Sequence, residues 1–221
     1  KENLLFRGYA DRSAINGDNG LLLLDPQDIT IGSSGSDDGE IDDGLGVAPA
    51  DFSVLFADGG RSNFNISVGR LALVLQSGDV SLQATQDIKV NANFTAANGN
   101  TNNLTLAAGD DIEVTKAMDL KGGDLTLTAG AASCGVACQP DADKSITVTD
   151  TISTTGSINL FAADDVSIGG AIDGTTAPSS ITVRAGDEIF FTSSGAFVTC
   201  GGEGRFTAAD LKLPSGAIQQ A

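Results

Sequence analysis

"VSLQATQDIKVNANF", Val80 to Phe94, writes three very short alternating runs where one longer strand would be ordinary. Small polar residues break it after the first run and again after the second. Leu82 centres the first run, Val90 closes the second, and Phe94 stands alone at the end. The phrase recurs. "LTLAAGDDIEVTKAM" begins at Leu104, "INLFAADDVSIGGAI" at Ile158 and "ITVRAGDEIFFTSSGAF" at Ile181. "LTLTAG" from Leu125 and "ITVTDTI" from Ile146 form a copy split by an insertion, and "LLLDPQDITI" from Leu22 is a further copy upstream.

The recurrence is phase-locked. The first run repeats at Leu82, Leu106, Leu127, Leu160 and Val183; the second at Val90, Val114, Val148, Ile168 and Phe191. A closing apolar residue follows at Phe94, Met118, Ile152, Ile172 and Phe197. Each run buries one face and exposes the other. Three runs turned by Gly, Asn and Asp make one coil. Stacked coils pile Leu82 over Leu106 over Leu127 and pair as parallel strands. No coil buries its apolar face alone, so the array is the folding unit. A sandwich also has many short strands, but it does not require this register to recur. A propeller blade needs a period of roughly forty residues or more. The expectation is an all-β parallel β-helix of about six irregular coils, with residues 1–221 forming a single domain and a piece of a longer rod.

Composition agrees. The chain has 28 Gly, 10 Phe and no Trp, with Asp, Asn, Ser and Thr at the polar positions. Net charge is −17, from 29 acids against 12 bases, which repels nucleic acid and anionic lipid. No His is present, so the commonest general base and metal ligand is missing. The apolar run Leu21 to Leu24 is far too short to span a bilayer. The chain reads as a non-enzyme with no resident cofactor, calcium being the one ion worth weighing.

Two insertions interrupt the ladder. Residues 32–65 open with an acidic loop at 32–44, whose Asp37, Asp38, Glu40, Asp42 and Asp43 offer hard oxygen ligands for calcium. Their spacing fits neither the helix-loop-helix nor the nonapeptide calcium pattern, and a solvated loop is the alternative. Residues 130–144 carry Cys134 and Cys138, close enough for a small loop disulfide and equally readable as ordinary small loop residues. Cys200 leaves the count odd. Before the second run stand Asp28, Asp87, Asp111, Ser145, Asp165 and Glu188, stacked along one corner. Turn chemistry explains them best; a cation ladder is the sharper alternative. Asn65 to Val80 reads as a short helix or turn, and Arg205 to Ile218 as the start of another module.

The phrases "NGLLLLDPQDITIG" (Asn19 to Gly32), "SGDVSLQATQDIKVNA" and "NLTLAAGDDIEV", in that order, resemble the filamentous haemagglutinin-like exoproteins of bacterial two-partner secretion systems. The resemblance implies a right-handed β-helix exported by an outer-membrane transporter. It places the chain outside a Gram-negative cell or on its outer surface, in adhesion, biofilm formation or contact-dependent competition. The acidic loop and the "CGVAC" insertion depart from the family pattern.

Three functions compete. An adhesive shaft would contact host or cell-surface glycan or protein, and its coil ends would stack copies end to end into filaments. A polysaccharide-cleaving enzyme would need two carboxylates facing one cleft, and the basic candidates Arg184 and Lys89 look isolated. A binding module for ice, glycan or receptor would use a flat face. Thr105, Thr126, Thr147 and Thr182 suggest an array that Ser81 and Asn159 break.

Overall fold

The structure is a computed structural model that describes residues 23–24, 26–38, 63–130, 144–174, 179–193, 197–212 and 218–220. The chain enters through β1 (Leu23–Leu24) and β2 (Asp28–Gly32), then β3 (Asn63–Ser67) and the single described helix α1 (Val68–Ser77). The next three coils are β4 (Val80–Ala84), β5 (Ile88–Val90) and β6 (Phe94–Thr95); β7 (Leu104–Ala108), β8 (Ile112–Val114) and β9 (Met118–Asp119); and β10 (Leu125–Ala129), β11 (Ile146–Val148) and β12 (Ile152–Ser153). They are followed by β13 (Ile158–Ala162), β14 (Val166–Ile168) and β15 (Ala171–Gly174); β16 (Ile181–Arg184), β17 (Glu188–Phe191) and β18 (Phe197–Cys200); and β19 (Gly204–Thr207), β20 (Asp210–Lys212) and β21 (Ile218–Gln220).

Among the described residues every strand pairing is parallel, and the strands form three sheets of stacked coils. The first sheet stacks β1, β4, β7, β10, β13, β16 and β19; the second runs from β3 and β2 through β5 to β20; the third runs from β6 to β21. This is a parallel β-helix. Leu82, Leu106, Leu127, Leu160 and Val183 lie in direct register, and all are fully buried. Val90, Val114, Val148, Ile168 and Phe191 lie in register in the second sheet, the first four fully buried and Phe191 partly so. The core is the prism between the sheets, and each column loses its water only because the coils above and below cover it.

Three sequence expectations change. Phe197 pairs with Ala171, and the third column continues through Val198, buried opposite Ile172. The connection before that strand is three residues longer than in the coil before, seven from Phe191 to Val198 against four from Ile168 to Ile172, so the apolar residue read as closing the coil falls one position early. Thr147 belongs to the second sheet, beside Glu113 and Ser167, and is not part of the Thr105, Thr126, Thr182 face. Residues 204–220 are not a new module but a sixth three-strand coil, with Phe206 on Val183 and Leu211 on Ile189.

The two ends differ. β3 returns to the far side of β2, outside the first coil. From there α1 packs Leu71, Val74 and Leu75 into the core, next to β3 and β6, where the third sheet would otherwise begin. Repeat arrays need such an atypical closing element. At the other end, among the described residues, β19, β20 and β21 have no outer neighbour, and Leu211 is exposed.

Candidate functional site

The corners come first, because they explain most of the acids. At the turn into the second sheet each side chain accepts the backbone N–H of its successor one coil on. Asp28 accepts Asp87 N, Asp87 accepts Asp111 N, and Asp111 accepts Ser145 N at 2.9 Å. Ser145 Oγ accepts Asp165 N, and Asp165 accepts Glu188 N at 2.9 Å. A turn cannot give every amide a ladder partner, and a side-chain oxygen of the coil before, a carboxylate or the Ser145 hydroxyl, supplies it. The turn into the first sheet has a second ladder that the sequence reading did not pick out. Asp79 accepts Asn103 N, Asn103 accepts Asp124 N, and Asp124 accepts Ser157 N at 2.7 Å. The signal was visible: Asp79, Asn103, Asp124 and Ser157 each directly precede the first strand of a coil.

The acidic segment behaves as a clasp on the capped end. Asp37 is buried; its N–H donates to Asn65 O at 3.0 Å and its Oδ2 accepts Asn65 N at 2.7 Å. It thereby satisfies both backbone groups of a residue on edge strand β3, which blunts that edge. Asp38 accepts Ser67 N and Ser67 Oγ, each at 2.6 Å, while Ser67 Oγ accepts Arg70 N and caps α1. Gly35 makes the fit, since a Cβ there would lie 2.1 Å from Asp38 Oδ1 and 2.4 Å from Ser67 N. The structure thus gives the calcium candidates Asp37 and Asp38 backbone partners. Glu40, Asp42, Asp43, Cys134 and Cys138 lie outside the described residues. Cys200 is buried, with its Sγ 3.5 Å from Gly202 O.

A different acid cluster forms where Asp164, Asp165 and Asp187 bring ligand oxygens within 4.8 Å of one another. One of these three carboxylates, Asp165, is already engaged with Glu188 N.

The outward faces carry what remains. On the second sheet Lys89 lies 3.6 Å from Asp87 and 4.0 Å from Glu113, and Lys212 donates to Glu188 at 2.5 Å, so cations and acids neutralise each other. The hydrogen bond to Glu188 raises the Lys212 ammonium above its ordinary value. The first sheet is different. Outward positions of its early coils are uncharged: Gln83, Thr105, Thr126 and Thr128. In its last coils Thr182 pairs with Arg205 and Arg184 with Thr207. A groove of about 480 Å³ opens there, lined by Ser180, Thr182, Arg184, Glu203, Arg205 and Thr207. Arg205 donates to Glu203 at 2.8 Å, and that bond holds the Glu203 carboxyl below the usual carboxylate range and raises the guanidinium. Arg184, isolated in the sequence, therefore shares a groove with a second arginine.

Among the described residues no helix is long and apolar enough to cross a membrane. No family model, no curated protein and no solved structure matches this chain, so what it does has to be argued from its own residues.

Proposed function

We propose that the chain is the β-helical shaft of a secreted or cell-surface adhesin or exoprotein of the two-partner kind, and not an enzyme. In this reading an outer-membrane transporter exports it from a Gram-negative cell. The shaft holds binding surfaces away from the cell, and each coil adds length and nearest-neighbour stability. The observation that carries the reading is the unbroken register of the coils: Leu82, Leu106, Leu127, Leu160 and Val183 stack rung on rung, so length is added coil by coil. β3, Asp37 and α1 close the stack beside its first coil.

The test pairs shape with place. Scattering and electron microscopy of the purified chain should give rods about 30 Å long, from seven rungs at the strand spacing. Antibody against the chain should label intact source cells. A β-sheet content too low for stacked parallel coils, or label confined to the cell interior, would overturn the reading. A glycan-binding module is the second reading, favoured by the arginine groove on the first sheet.

A further inference from the structure

We propose that the groove between β16 and β19 binds a carboxylate-bearing saccharide, such as a uronate chain, through the guanidinium groups of Arg184 and Arg205. This deepens the adhesive part of the reading above and rests on it.

The first observation is electrostatic. A chain of net charge −17 repels anions over most of its surface. Two of its few cations nevertheless face one groove. Arg205 is partly neutralised by Glu203, whereas Arg184 is exposed and makes no ion pair among the described residues. Guanidinium matches a carboxylate with two parallel N–H donors, which an ammonium cannot do.

The second observation concerns the floor and rim. Ser180, Thr182 and Thr207 give the groove hydroxyls that both donate and accept. One rung away, Phe161 stands directly opposite Arg184 in the register, on the outward face and only partly buried. Its neighbour Asn159 pairs with Thr182. A ring, amides and hydroxyls around two guanidiniums suit a sugar, with one apolar face, many hydroxyls and a carboxylate. An acidic peptide would use the arginines but leave the ring and hydroxyls without a role.

The experiment is calorimetric titration of the full chain with a hexameric oligogalacturonate at low salt. Binding is expected, with about tenfold or greater loss in the double variant R184A/R205A. Lysine at both positions keeps the charge and should still weaken binding by roughly threefold or more, because the bidentate geometry is gone. E203Q removes the competing carboxylate and should tighten binding by about twofold. Lys89→Ala, on the other sheet, should leave affinity unchanged. All four sites are surface positions, and unchanged melting temperatures confirm folding. Any of three results overturns the proposal: no binding, equal binding of the methyl-esterified neutral hexamer, or equal binding of oligo-aspartate with the same arginine dependence. Surface labelling of cells is measured separately, so failure here leaves the shaft reading standing, and label confined to the cell interior would sink the shaft without touching the groove.

Discussion

Asp165 decides what the acidic corner is for. Its Oδ1 accepts Glu188 N at 2.9 Å, and its carboxylate sits with Asp164 and Asp187, ligand oxygens within 4.8 Å of one another. Asn keeps the acceptor and removes the charge. At that separation each like-charge pair costs just under ~1 kcal/mol in bulk water, less once salt screens it. D165N is therefore expected to be at least as stable as the parent. Two such pairs involve Asp165, with Asp164 and with Asp187, so the gain should be up to about 2 kcal/mol at low salt, reduced because a neutral amide accepts less strongly than a carboxylate, and should fall toward zero near ~1 M salt. D165A removes the acceptor and leaves the Glu188 amide without its partner, a loss of about 1–2 kcal/mol. For a chain of this size that is roughly 2–8 °C in melting temperature. The assay is a set of circular-dichroism melts at low and high salt, with chelator and with about 1 mM calcium. If Asn proves as harmful as Ala, and calcium raises the parent's melting temperature by several degrees, the corner is a cation site and the hydrogen-bond reasoning is wrong.

Leu127, fully buried between Leu106 and Leu160, tests the columns. Leu127→Ala is expected to cost about 3–4 kcal/mol, from three lost carbons at ~0.8 kcal/mol each plus the cavity left behind. Thr128→Ala, next door but facing outward, should stay within about 0.5 kcal/mol in denaturant melts; similar losses at the two sites would refute the inward assignment. Gly35→Ala should open the clasp, because its Cβ would collide with Asp38 and Ser67 N. Hydrogen exchange should then speed up in β3 and α1 before β10, and unchanged protection in β3 would show that the clasp is not what closes that end.

The columns were legible because a two-residue alternation has one buried face, and the spacing of that face recurs from coil to coil. Leu82 to Leu106 to Leu127 needed nothing else. Where a loop changed length the count failed, as at Phe197, since burial selects Val198 and counting does not. The position of β3 had no local signature. A strand that turns back to the far side of one already laid looks, in sequence, like any strand after a loop. The corner acids were legible as a column and as turn chemistry. Their direction, each accepting from the coil after it, needed coordinates.

The groove was the least legible feature, for a physical reason. Inward positions are set by the core, and corner positions by the amides they must satisfy. Only outward positions are free to differ, and they carry no period. Arg184 and Arg205 are 21 residues apart in the chain, and only the register places them on adjacent strands. On the second sheet the same freedom was spent on alternating Lys89 and Glu113, which cancel. On the first it was spent on neutral hydroxyls, then on two guanidiniums with one acid between them. A pure spacer has no use for that asymmetry. Mixed charges everywhere, or none, would keep a rod soluble equally well. The departure is confined to the coils that hold β16 and β19, so a shaft that also binds would make its contact there.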